Sequence, residues 1–232
     1  MKVIVKMISE LTSEETMAML RLMQKYYSNV NEEQFIKDLA EKDKVILLYG
    51  DETICGFSTW MLFTHNNDGF NVNVIFSGDT IVDEKNRNSL ALPVAWGKLM
   101  LLSLEKFPER PLYWLLTSKG YKTYRFLPIF FNEFYPSYLH KTPEFEKSLL
   151  ISLIHRKFRG GYNPVSCVLE AGEGAQCLRP GMADVSPPRL RDKHINFFYH
   201  SNPDYTKGDE LVCIARCQPE NLTPFIMRQL LK

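Results

Sequence analysis

The chain has 232 residues, of which 45% are hydrophobic and 24% charged, a composition that supports a globular fold with a substantial core. A formal net charge of +1, with no dense Lys/Arg run, argues against nucleic acid as a partner. The apolar start is too short for a signal peptide and no stretch is long enough to span a bilayer, so a cytoplasmic protein without a membrane partner is expected.

Residues 1–7 read as a first strand, with Val3 and Val5 alternating. Thr12 and Glu15 form a capping box that opens a helix to about residue 27, with Met17, Leu20 and Met23 at helical spacing. Asn31 and Gln34 make a second box, and the helix it opens is expected to bury Phe35, Ile36 and Leu39. A hairpin follows, with strands at 44–49 and 54–63 around the polar turn 50–53. Residues 65–69 read as a polar loop. Residues 72–82 read as a strand interrupted at Ser77-Gly78, where Gly marks a bulge or a close backbone approach.

After the polar loop 83–89, a helix to about residue 106 carries apolar residues around most of its circumference and should be buried. With the strand at 111–117 it completes a strand–helix–strand unit. Residues 121–138 are crowded with aromatic side chains, which read as core filling around short helices and are also available to line a pocket. An amphipathic helix is expected at 143–157, strands at 164–170 and 210–217, and a last helix at about 221–231. The basic stretch 155–159 reads as a solvated helix end, and Gly160-Gly161 as the stop of that helix. The segment 172–207, between the last two strands, is loop-rich with a helix near 192–200.

The five cysteines are odd in number and irregularly spaced, which argues against a disulfide framework. Cys213 and Cys217 lie four strand steps apart, roughly 13 Å, too far to share a zinc ion, and read as buried thiols. The histidines have no ligand or nucleophile partner at recognisable spacing. Cys55 sits in a strand without a neighbouring base. The chain has no serine elbow, phosphate-binding glycine loop or paired-histidine zinc motif, and no metal is expected.

Two helices, a hairpin, a long strand, a buried helix and another strand, closed by a helix and two strands, form an order that resembles the GNAT superfamily of acyl-CoA N-acyltransferases. Ile54-Cys55-Gly56-Phe57-Ser58 is similar to the family's third strand and residues 74–83 to its fourth. The family's loop Arg/Gln-x-x-Gly-x-Gly/Ala corresponds to Asn86-Arg87-Asn88-Ser89-Leu90-Ala91, in which Asn86 and Ser89 depart from the pattern and Ala91 fits. Pro93 is best tolerated at a first helical position; placed there, it would lengthen this loop and move the free amides toward 92–95.

The resemblance implies one α/β domain over residues 1–232, with a mixed, mostly antiparallel central sheet flanked by helices and an insertion at about 172–207. It also implies direct transfer from acetyl-CoA or another acyl-CoA to an amine of a small molecule or peptide. It places the coenzyme on Thr80, Ile81, Val82, Lys85, Arg87, Asn88, Ser89, Leu90 and Ala91. Asp79 stands where a base is needed, and Tyr135 and Tyr138 are candidate acids by position. Two alternatives stay open: a GNAT-like domain that has lost catalysis and binds a ligand or partner, and an enzyme of another α/β class with its pocket in the aromatic segment. The final helix and the insertion are both available as a homodimer interface.

Overall fold

The structure is a computed structural model that describes residues 1–158, 161–182 and 184–232. Arg159 and Gly160, in the basic stretch and the glycine stop, lie outside the described residues. In chain order the elements are β1 (Lys2–Met7), α1 (Ser13–Tyr26), β2 (Tyr27–Ser28), α2 (Glu32–Ala40), β3 (Lys44–Gly50), β4 (Thr53–Asn67), β5 (Phe70–Ser77) and β6 (Thr80–Val82). There follow α3 (Ala91–Lys106), β7 (Leu112–Ser118), α4 (Tyr121–Tyr124), α5 (Phe126–Phe130), α6 (Glu144–Lys157), β8 (Tyr162–Asn163) and β9 (Val168–Leu169). The last elements are β10 (Cys177–Leu178), α7 (Lys193–Ser201), β11 (Glu210–Cys217) and α8 (Pro224–Leu230).

The main sheet runs β1-β3-β4-β5-β7-β11-β9-β8, with β6 on β4 and β10 on β2 as a separate pair. Every pairing is antiparallel except β5 with β7. This is the mixed, mostly antiparallel sheet flanked by helices that the resemblance implies. One face carries two apolar clusters, one under α1 and α2 (Met19, Leu20, Phe35, Val45, Phe57), the other under α6 (Val74, Leu115, Leu149, Leu153, Ile214). The opposite face is a single cluster built on Trp60, Trp96, Trp114, Phe130 and Ile226.

Both capping boxes are built as expected at their first bond: Thr12 Oγ1 accepts from Glu15 N at 3.1 Å, and Asn31 Oδ1 accepts from Gln34 N at 2.9 Å. Ile36, expected to be buried, is 45% exposed, because one residue beyond Phe35 turns it about 100° around the helix, away from the core.

The loop expected at 65–69 is instead the end of a long strand. β4 continues to Asn67, and Asp68-Gly69 turns the chain with φ of 49° and 89°, the positive values that a two-residue hairpin requires. The polar residues that suggested a loop are buried and bonded to α6: His65 Nε2 to Ser152 Oγ at 2.7 Å, and Asn67 Nδ2 to Ser148 Oγ at 2.9 Å.

The single strand expected at 164–170 is a small hairpin of β8 and β9. Asn163 Oδ1 accepts from Val165 N and Ser166 N at 2.9 and 3.3 Å, folding the intervening residues into a turn. Residues 121–138 fill the core, with Tyr124, Phe130, Phe131 and Phe134 all buried. Cys213 and Cys217 are buried free thiols. No helix among the described residues is long and apolar enough to cross a membrane.

Candidate functional site

The interruption at Ser77-Gly78 divides one long edge into β5 and β6, and this break shapes the site. β5 lies parallel to β7 from Asn73↔Leu112 to Ser77↔Leu116. β5 is also paired with β4, from Phe70 to Phe76; beyond Ser77 the pairing with β7 ends, and after a shift in register the chain continues along β4 as β6, on Gly56–Ser58. β7 keeps its course alongside β11, so a gap opens between β6 and the end of β7. Gaps beyond the carboxyl ends of parallel strands are where ligands bind in α/β sheets.

Gly56 makes the step feasible. A Cβ there would lie 3.0 Å from Ile81 O and 3.3 Å from Val82 Cα, so any larger residue would push β6 off its partner.

Antiparallel hydrogen bonding alternates along a strand. Asp79 O accepts from Thr59 N and Asp83 N donates to Cys55 O, both toward β4. The backbone groups of Thr80 and Val82 therefore point into the gap, and those of Ile81 point to β4. Val82 O already accepts from Arg87 Nε at 3.2 Å. The floor of the gap is fixed by Ser77, whose Oγ accepts from Trp96 Nε1 at 2.9 Å and from Trp114 Nε1 at 3.1 Å.

Two cavities meet in the gap, and Tyr27, Thr80 and Thr123 line both. The first, of about 500 Å³, is walled by β6, the loop before α3, α4 and the 172–207 segment. Among the described residues four cations line it, Arg87, Lys122, Arg125 and Arg189, against the single carboxylate of Glu84. Arg87 lies 5.0 Å over the Tyr26 ring and Arg189 5.5 Å over the Tyr121 ring. Arg125 is held by Asp192 at 3.5 Å. Lys122 Nζ donates to Met182 O at 3.0 Å, and burial, Arg87 and Arg189 pull its pKa below the ordinary lysine value. Such a cluster favours a polyanion.

The second cavity, of about 340 Å³, contains Asp79, Lys119, Glu210, Lys42 and Lys157. Burial raises the Asp79 carboxyl above its usual range; Lys119 and Lys42 pull it down, while Asp38 and Glu210 push it up. Burial lowers Lys119, but Glu210, bonded at 2.9 Å, more than offsets it, and the ammonium titrates above its ordinary value. Burial pushes the Tyr27 hydroxyl up to about 12, so it stays protonated and able to donate at neutral pH. A third, apolar void of about 20 Å³ lies behind Thr80 and Thr123, against Leu92, Trp96, Trp114 and Phe130.

Of the residues singled out from the sequence, Thr80, Ile81, Val82, Arg87, Asn88, Ser89 and Leu90 line the larger cavity and Asp79 the smaller. The Ile81 side chain packs under α1 and α2. Lys85 is exposed and lines neither cavity, and Ala91 N donates to Ser89 Oγ at 3.1 Å. Pro93 is the third residue of α3 and not the first, so the helix start has no amide there to offer.

Tyr135 and Tyr138 lie outside the gap. Tyr135 forms a bridge to Ile214 on β11, two strands away from β6, and the Tyr138 ring rests 4.8 Å from His194 of α7. Sequence reasoning missed Tyr27, Lys119 and Glu210. Lys119 follows the carboxyl end of β7, as Asp79 follows that of β5, and that position was the available signal.

No protein-family model and no curated protein matches the chain. Solved structures do. A conserved protein of unknown function from Enterococcus faecalis is 21% identical over 54% of this chain and 31% of its own, with a TM-score of 0.40. The ribosomal-protein-S18-alanine N-acetyltransferase from Escherichia coli is 13% identical over 61% and 86%, with a TM-score of 0.40. An acyl-CoA N-acyltransferase from Pseudomonas aeruginosa is 16% identical over 50% and 77%, with a TM-score of 0.31. The chain thus spans under a third of the length of the Enterococcus protein. With these scores below 0.5, the likenesses carry no argument about chemistry, which rests on the geometry of the gap.

Proposed function

We propose that the protein is an acyl-CoA-dependent N-acyltransferase that moves an acetyl group to an amine. The observation that carries this reading is the meeting of the cationic cavity and the Asp79 cavity at the free edge of β6. A coenzyme A thioester supplies the activated acyl group. Its phosphates suit Arg87, Lys122 and Arg189, and its amide-bearing arm suits the backbone groups of Thr80 and the Val82 amide, the Val82 carbonyl being engaged by Arg87. Ser89 and Pro93 leave this loop with fewer usable amides than a glycine-rich loop, and the guanidinium and ammonium groups compensate.

On the other side of Thr80, Asp79 takes the proton that the acceptor ammonium must lose before nitrogen attacks. Tyr27, facing both cavities, donates its proton to the departing sulfur. Lys119, held by Glu210, opposes the rise that burial imposes on the Asp79 carboxyl.

A melting-temperature titration tests the coenzyme half. Acetyl-CoA at a hundred times its dissociation constant stabilises by about 2.7 kcal/mol, a rise of roughly 5–10 °C for a chain of this size. Arg87→Ala and Lys122→Ala should each shrink that rise, and no shift at millimolar acetyl-CoA would sink the reading.

The void behind Thr80 sets the acyl length. About 20 Å³ holds a methyl group and little more. Propionyl-CoA should therefore turn over with kcat/KM roughly 10- to 100-fold below acetyl-CoA, the usual penalty for one misplaced methylene. Equal rates would show that the acyl group lies elsewhere.

A further inference from the structure

The smaller cavity contains more than the proton-transfer groups. The Phe76 ring, at the end of β5, carries two ammonium groups, Lys157 Nζ at 4.4 Å from its centroid and Lys42 Nζ at 5.7 Å. Phe158 lies beside Lys157 at 6.0 Å. The Lys157 side chain is only 14% exposed. Burial and the neighbouring Lys42 charge depress its pKa, while Glu41 and Asp38 oppose that shift.

Among the described residues, Asp38, Glu41, Asp79 and Glu210 share the cavity with Lys42, Lys119 and Lys157, yet Glu210 is bonded to Lys119 and no carboxylate makes a close ion pair with Lys42. Glu41 Oε2 is 3.9 Å from Lys157 Nζ and is itself 54% exposed, so solvent weakens it as a counter-ion. Lys42 Nζ donates to the backbone carbonyl of Asp38 at 2.8 Å, which supplies a dipole and no charge. The Asp38 carboxylate also lines the cavity, with Oδ1 engaged by Gln34 Nε2 at 2.7 Å. A carboxylate placed between the two ammonium groups would accept a close charge-assisted hydrogen bond from each, which none of the carboxylates lining the cavity does.

The pair also sits close to the transfer point. Gly78 is packed so tightly that a Cβ would lie 2.9 Å from Lys42 Cε, and the next residue is Asp79. An anion on Lys42 and Lys157 would thus leave an amine a few bonds away facing Asp79 and Thr80. Gln176, carried by the segment that β10 fastens to β2, closes the same cavity from above. At about 340 Å³ the enclosure suits a small free molecule.

Resting on the acyl-transfer reading, we infer that the acceptor is a small amine bearing its own carboxylate, of the amino-acid class. Lys42 and Lys157 grip the carboxylate, and Phe76 and Phe158 cover its apolar part.

The test uses the full chain with saturating acetyl-CoA and follows coenzyme release. The acceptors are glycine, L-methionine, L-phenylalanine and L-glutamate, each beside its carboxamide and its decarboxylated amine. At least one acid should exceed its carboxamide in kcat/KM by roughly tenfold or more, the worth of a charge-assisted contact. Lys42→Ala and Lys157→Met should collapse that ratio toward one by raising the acceptor KM; the methionine keeps the apolar stem against Phe76. A parallel titration with acetyl-CoA alone shows whether each variant still folds and binds coenzyme. Acids and carboxamides used equally well, a ratio that survives both substitutions, or no acid used at all would overturn the inference. If acetyl-CoA fails to bind, the acyl-transfer reading falls. Calorimetry with the amino acids alone then decides the anion site: lysine-dependent binding of acid over carboxamide upholds it, and none removes it.

Discussion

Asp79→Asn should lower kcat by about 10²- to 10³-fold, the usual cost of removing a positioned base. The pH profile separates this from a structural effect. Burial raises the Asp79 carboxyl, so the acid limb of kcat/KM in the native protein should lie above the ordinary aspartate range of about 3.9. The asparagine variant should lose that limb. Stability should move the other way. A group whose folded pKa is raised favours folding below its unfolded pKa and costs stability as pH rises through the folded value. Asn carries no such cost, so the variant should melt higher than the native protein at pH 8, with the gain fading toward pH 4. A variant that keeps its acid limb and most of its rate would remove Asp79 from the chemistry and leave Glu210 as the nearby carboxylate to test.

Ser77→Ala should be the most destabilising single-atom deletion in the gap. Ser77 is 1% exposed, and its Oγ is the acceptor for two buried indole donors, Trp96 Nε1 and Trp114 Nε1. Deleting the oxygen orphans both at once. Each buried donor left without a partner costs about 1–3 kcal/mol, giving roughly 2–6 kcal/mol together. For a domain of this size that corresponds to a melting point lower by about 4–24 °C. Ser77→Thr keeps the oxygen and separates the hydrogen-bond effect from general intolerance at the position. A drop below about 3 °C for Ser77→Ala would mean the indoles find other acceptors when the serine is gone.

Much of the architecture is legible in the sequence because local signals and tertiary packing agree. The two capping boxes, the 50–53 turn and the apolar band from Leu90 to Leu102 each have one reading, and the interruption at Ser77-Gly78 marks the backbone step that opens the gap. Misreadings fall where polar residues are buried by pairing with distant ones. His65 and Asn67 look like loop residues until Ser152 and Ser148 approach from α6. The β2–β10 pair is two residues long on each side, too short for any periodicity to show.

The site divides in the same way. Arg87 and Asp79 were accessible because one lies in the loop between β6 and α3 that was matched to the family pattern and the other just past the end of β5. Tyr27, Lys119, Lys157 and Arg189 come from four separate regions of the chain, and no spacing rule links them. Tyr135 and Tyr138 were chosen by sequence position alone. The bridge from Tyr135 to Ile214 carries that segment to the far side of β11.

The fastening of β10 onto β2 bears on how the protein is born. Tyr27 and Ser28 are synthesised well before Cys177 and Leu178, which follow only after most of the sheet has been made. Closing so long a loop adds little to the thermodynamic cost, because that cost grows only logarithmically with length. It does delay completion. The hairpin of β3 and β4, with α1 and α2 packed on it, has local contacts enough to form first, and the enclosure over Asp79 is finished among the last steps. A nascent chain released before residue 178 would carry Asp79 in an open groove. Closure of the cavity around Asp79 thus awaits synthesis of the segment that carries Gln176 and Glu210.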